Sequence, residues 1–152
     1  MTTRLSAHFT LMEAMKSQTG ERLGLDNTPP NEIIPRLIFV AETILEPIRA
    51  HYGVPFSPNS WYRGPALNHA IGGAASSQHV NGEAVDIEVP GVSNIDLAKW
   101  VRDTLKFDQL ILENWNGVDP ASGWVHVSAK DGPMRGEVLT YSKGKYTKGL
   151  PA

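Results

Sequence analysis

The sequence contains no cysteine, which excludes disulfides and every metal site built on thiolate. A metal ion, if one is held, has only His, Asp and Glu side chains to hold it. No apolar run is long enough to cross a bilayer, and the opening MTTRLSAHFTLMEAMKSQTG lacks the apolar stretch of a secretory signal. Charge of one sign is not in excess: the formal net charge is −2 and the isoelectric point lies near 6.2, so nothing in the composition points to nucleic acid. Internal repeats and low-complexity tracts are absent too. What is there is an ordinary globular chain of 152 residues, 41% hydrophobic and 20% charged. That is enough for one domain with a real core and too little for two. Synthesis in the cytoplasm is expected, with any action outside depending on release by another agent.

The patterning predicts helices first and strands later. Thr10-Leu11-Met12-Glu13 has the form of a capping box and predicts a short helix, closed by the turn DNTPPNE at 26–32. From Ile34, the apolar residues Leu37, Ile38, Ala41, Ile44, Leu45 and Ile48 follow helical spacing and end near His51–Gly53. Pro35 fits the first turn of this long helix, and Pro47 is expected to kink its last. FSPNSWYRG reads as extended, Pro65–Ala70 as a small helix, and IGGAASSQHVNG as a loop. EAVDIEV alternates as a strand, NIDLAKWVRDTL is an amphipathic helix, and DQLILEN and GWVHVSA are strands. EVLTY reads as a late edge strand. This order predicts a single α+β domain, with N-terminal helices on a small, mostly antiparallel sheet. The core is expected over residues 5–141, with a tail over 142–152.

The chemistry lies in SSQHVNGEAVDI and GWVHVSA. A strand alternates its faces, so if Val85 and Ile87 point into the core, Asp86 points away from it. By the same rule Val125 and Val127 oppose His126. His79 sits in the loop that feeds the first of these strands. Two imidazoles and a carboxylate converging from a loop and two strands would hold Zn²⁺ with a fourth position open, the arrangement of catalytic zinc. From spacing alone, the blander reading comes first: a surface histidine, a strand-end aspartate and a core-edge histidine.

Three ordered segments carry a resemblance that changes this balance. SQHVNGEAVD matches the S-x-H-x-x-G-x-A-x-D signature of the zinc D-Ala-D-Ala carboxypeptidase family, whose fold is shared with the hedgehog signalling domain. SWYRGPALN resembles the S-x-Y-R segment of that family, and WVHVS its later histidine strand. The run from LSAHFTLMEAMKSQTGERLGLDNTPP through FDQLILENW to WVHVS is similar to a subgroup of peptidoglycan-cutting peptidases of bacteriophages and prophages. The likeness covers nearly the whole chain up to Ser128.

The resemblance implies a hedgehog/DD-peptidase-like fold and one Zn²⁺ ion held by His79, Asp86 and His126. It implies that Arg63 binds substrate and stabilises negative charge on the peptide carbonyl oxygen. Ser77, Gln78 and Trp124 are further candidates for substrate contact. Some relatives carry an acidic residue three positions before the last histidine, where this chain has Gly123. Others carry a histidine two positions before it, where this chain has Trp124. In hedgehog-like relatives the base lies at the end of the preceding strand, and the resemblance therefore implies Glu113, at the end of DQLILE, as the base, with Asp119 as the rival. Trp61, Tyr62 and Trp115 are read as groove-lining or core-edge rings, His8, His51 and His69 as surface or helix-end residues, and Lys143, Lys145 and Lys148 as a basic cluster in the tail.

The activity implied is a zinc peptidase cutting the stem or cross-link of bacterial peptidoglycan, as a phage or prophage endolysin acting from the periplasm after a partner protein permeabilises the membrane. The alternatives are a D-Ala-D-Ala carboxypeptidase and a non-catalytic hedgehog-like zinc-binding module. Stem peptides are the expected partner, without nucleic acid or stable membrane insertion, and the protein is expected to be a monomer.

Overall fold

The computed structural model describes residues 3–152. Two short helices come first, α1 (Leu11–Met15) and α2 (Gln18–Arg22). The capping box predicted at Thr10 is present, with Thr10 Oγ1 accepting from Glu13 N and Glu13 Oε1 accepting from Thr10 N at 3.0 Å. The helical stretch breaks where Ser17 starts a second cap by accepting from Gly20 N at 3.1 Å. Asn27 then ties this N-terminal layer to the segment that carries Arg63. Its amide donates to the carbonyls of Met15 and Tyr62, and its Oδ1 accepts from Gly64 N.

The long helix begins with a 3₁₀ turn at Asn31–Ile33 and runs as α3 (Ile34–Val40) and α4 (Glu46–Tyr52), joined by a π-helical turn at Ala41–Leu45. The disturbance lies ahead of Pro47 rather than in the last turn. Pro47 has no N–H to donate back to residue 43, and Thr43 Oγ1 donates to the Phe39 carbonyl at 2.6 Å. A wider turn absorbs both. Gly53 closes the helix in the left-handed conformation, φ 69°. Leu37, Val40, Ala41, Ile44, Leu45 and Ile48 are completely buried.

Helix α5 (Pro65–Ala70) follows, then β1 (Ala84–Ile87), α6 (Asn94–Thr104), β2 (Gln109–Glu113), β3 (Trp124–Ser128), β4 (Glu137–Ser142) and β5 (Lys145–Lys148). They form one sheet in the order β1-β3-β2-β4-β5, antiparallel except for the parallel pair β2–β4. The alternation holds as predicted: Val85, Ile87, Leu110, Leu112, Val125 and Val127 are fully buried in one core with α6 and the long helix. The opposite sheet face is left for the site.

Two expectations change. EVLTY is not an edge strand, since β4 lies between β2 and β5. The expected tail from residue 142 instead supplies the real edge, β5, which turns back on β4 through Lys143 and Gly144, both at positive φ (53° and 76°). Two left-handed residues in succession make the tight hairpin turn whose twist matches paired strands. The lysine-rich KYTK carries no apolar alternation, but exposed lysines are how sheet edges resist further pairing.

Candidate active site

The sheet register sets the site. Asp86 on β1 stands directly opposite His126 on β3, and His126 opposite Ile111 on β2. The outer side of Asp86 is held by Ser60, whose carbonyl accepts from Asp86 N at 2.8 Å. His79 arrives from the preceding loop. Its ring is fixed by Nδ1, which donates to the Trp61 carbonyl at 2.7 Å. A carbonyl can only accept, so Nδ1 carries the proton and Nε2 keeps a lone pair.

Asp86 Oδ1 lies 3.3 Å from His79 Nε2 and 3.1 Å from His126 Nδ1. Around a tetrahedral zinc, bonds of about 2.0–2.1 Å place neighbouring ligand atoms about 3.3 Å apart. Burial pushes the His79 pKa down, against the pull of Asp86, which favours the neutral ring that a metal requires. Burial opposes ionisation of Asp86, yet the two imidazoles outweigh it and hold its carboxyl far below the ordinary range. His79 Nε2 is buried without a hydrogen-bond partner, an arrangement that costs free energy unless a cation takes the lone pair. Among the described residues these three form the one group whose side chains could together hold a metal ion. A zinc ion fits them.

Around this group opens a cleft of about 600 Å³, lined among others by Arg63, Ser77, Gln78, Glu113, Arg135 and Tyr146. Arg63 is held from both sides: its N–H donates to the His79 carbonyl at 3.1 Å, and the flanking Tyr62 N–H donates to the Ala14 carbonyl. Its guanidinium reaches buried Asn68 Oδ1 at 3.5 Å, while Nε has no partner. Gly73 keeps this corner clear, because a Cβ there would stand 2.1 Å from Asn68 Oδ1 and 3.1 Å from Arg63 Nη1. Burial lowers the pKa of Arg63, and the charges of Asp86 and Glu113 oppose that shift.

Glu113 ends β2 on the cleft side, half-buried. Burial raises its pKa, and the nearby charge of Asp86 raises it further. Trp124 does not line the cleft. It sits opposite Glu113 in the β2–β3 register and gives its indole N–H to Glu113 Oε2. Ser77 lines the cleft while its Oγ accepts from His79 N at 3.2 Å. Gln78 lines it too, with its amide donating to Asp108 Oδ2 at 3.0 Å.

Asp119 is exposed in the β2–β3 loop, accepts from Ala121 N and does not line the cleft. Trp61 and Tyr62 are core residues, and Trp115 packs against the core. His8 pairs with Glu46, and His51 stacks on Trp100. The missing acid at position 123 has a steric cause. Gly123 has φ 71°, and a Cβ there would lie 2.0 Å from the Glu113 carbonyl oxygen. The strand end that presents Glu113 leaves no room for any side chain at 123.

Several residues at the site gave no signal of their own in the sequence. Asp108 is buried and gathers the Gln78 amide with the N–H and guanidinium of Arg135. Asn68 lies inside SWYRGPALN, where its own type and spacing mark no role. Tyr141 and Tyr146 reach the cleft only because β4 and β5 join the sheet.

The family model that matches the chain is described as Peptidase M15, and the match runs over residues 7–128. It contains all three residues that could hold a metal, together with Arg63 and Glu113. No curated protein matches the sequence.

Proposed function

Since this chain belongs to the peptidase M15 family and is a zinc metallopeptidase, we propose that its substrate is bacterial peptidoglycan, cut at a peptide bond of the stem or cross-link. We further propose that it serves a phage or prophage as an endolysin, reaching the wall from the periplasm once the membrane is breached. Support for the substrate comes from the likeness of LSAHFTLMEAMKSQTGERLGLDNTPP, FDQLILENW and WVHVS to wall-cutting peptidases.

The observation that carries the reading is the meeting of His79, Asp86 and His126 at the floor of an open cleft that also holds Arg63 and Glu113. His79 Nε2, one oxygen of Asp86 and His126 Nδ1 would hold the zinc. When bound, zinc supplies a water acidified to a pKa of about 7 and a Lewis acid for the carbonyl. Glu113 accepts the proton of the attacking water and returns it to the leaving amine. Its Oε2 is engaged by Trp124, and Oε1 has no protein partner among the described residues. Arg63 faces the carbonyl oxygen, where a fixed cation gains strength as negative charge develops.

Digestion of Gram-negative sacculi, with and without chelator, followed by mass analysis of the muropeptides, tests the reading. Conversion of cross-linked dimers to monomers is expected, abolished by chelation and restored by Zn²⁺. Release of terminal D-alanine alone would replace this activity with a carboxypeptidase. Intact sacculi beside full zinc occupancy would leave a binding module.

A further inference from the structure

Strands β4 and β5 lie beyond residue 128, where the family match ends, yet they build one side of the cleft. Directly paired residues share a sheet face. One row across the sheet therefore reads Asp86, His126, Ile111, Leu139 and Lys148. The next reads Trp124, Glu113, Tyr141 and Tyr146. The two tyrosine rings lie 4.6 Å apart, and Tyr146 remains 58% exposed. Neither phenol has a hydrogen-bond partner among the described residues, and Lys148 forms no ion pair there. An aromatic pair with free hydroxyls and a free cation, aligned with a catalytic group, presents a surface with nothing of this chain to bind.

We propose that the β4–β5 hairpin is the distal substrate subsite: Tyr141 and Tyr146 support an extended stem peptide leading away from the metal group, and Lys148 takes one of its carboxylates. This rests on the peptidoglycan reading above. Strands are about 4.8 Å apart, so the three steps from β3 to β5 place the hairpin about 14 Å from the His126 backbone. An extended peptide advances about 3.3–3.6 Å per residue, so about four residues bridge that distance. Charge complementarity decides what lies there. Arg63 already feels the charges of Asp86 and Glu113, and Arg135 is committed to Asp108 and Glu137, which leaves Lys148, the hairpin lysine whose register puts it on the cleft face, as the uncommitted cation there for a stem carboxylate.

The test uses the full zinc-loaded chain and muropeptides with complete stem peptides. Tyr146→Ala is expected to raise KM about tenfold, the scale of one lost aromatic contact, with kcat changed less than about twofold and zinc content unchanged. Tyr146→Phe should restore KM to within about twofold. Lys148→Gln should raise KM at low salt and lose that effect at high salt, while Lys148→Arg retains binding. Both residues are exposed, and matching melting curves will establish that the variants fold. Cleavage by the wild type with KM unchanged in Tyr146→Ala overturns the hairpin subsite alone. A wild type that leaves muropeptides intact overturns the substrate reading and the subsite together.

Discussion

Trp124 and Glu113 face each other across the β2–β3 pair, and the indole N–H of the first donates to a carboxylate oxygen of the second. Burial and Asp86 push the Glu113 pKa up, and the Trp124 hydrogen bond pulls it down. An aromatic residue two places before the proposed ligand His126 thus becomes the brace of the proposed base.

Trp124→Phe keeps the ring and removes that donor. Hydrogen bonds to charged groups are worth about 1.5–3 kcal/mol, so kcat should fall about tenfold or more with zinc content unchanged. The sign in pH follows: without the bond Glu113 stays protonated to higher pH, and the acid limb of the kcat/KM profile moves upward. An unmoved limb would show that the bond does not tune the base.

Loss of metal and loss of turnover should separate by residue. His79→Ala, Asp86→Ala and His126→Ala are expected to lose zinc and activity together, measured by metal analysis of the purified variants. Glu113→Ala should keep zinc and lose about two to four orders of magnitude in kcat, the usual weight of a general base. Full activity in Glu113→Ala would remove it from the mechanism.

Asp108 carries a stability prediction with a pH signature. Its carboxyl is held at about 2 by hydrogen bonds from Arg135 in spite of burial, with Gln78 and the Arg135 charge helping. A folded pKa below the unfolded value of about 3.9 gives stability that is present above about pH 4 and lost as pH falls through about 2. Asp108→Asn should lower stability by about 1–3 kcal/mol at neutral pH, or about 2–4 °C of Tm per kcal/mol. The gap from wild type should close in strong acid. Denaturant melts at several pH values will read it.

Gly123→Ala should be costly although it adds one methyl group. The left-handed backbone and the approach to the Glu113 carbonyl both resist a Cβ, so a loss of more than about 2 kcal/mol is expected. The substitution should also depress kcat, because the strand end that gives way is the one presenting Glu113. Gly91→Ala, also at positive φ (80°) but with nothing within 4 Å of its Cβ and outside the cleft lining, provides the control and should leave kcat unchanged.

Much of this was legible in the chain. The capping box at Thr10, the apolar period of the long helix and the alternation that turns Asp86 and His126 away from the core all depend on residues a few positions apart. Glu113 was reachable only through the family resemblance, which points to the end of the strand before the last histidine strand. The helix break at Ser17, the π turn before Pro47 and the hairpin at Lys143–Gly144 were local too, but each depended on one or two residues that a periodic pattern overlooks.

The sequence by itself determined which side chains leave the core, which metals are chemically admissible in a chain without cysteine, and which residues could ligate one. Tertiary structure alone decided that Asp86 meets His126 in register, that Trp124 rather than solvent holds Glu113, and that a parallel pairing of β4 with β2 brings Tyr141, and Tyr146 of the adjoining β5, to the cleft. The reason is physical. Side-chain alternation is a property of one strand, whereas register joins segments as far apart as residues 86 and 126, and only the packing of the whole core selects one pairing.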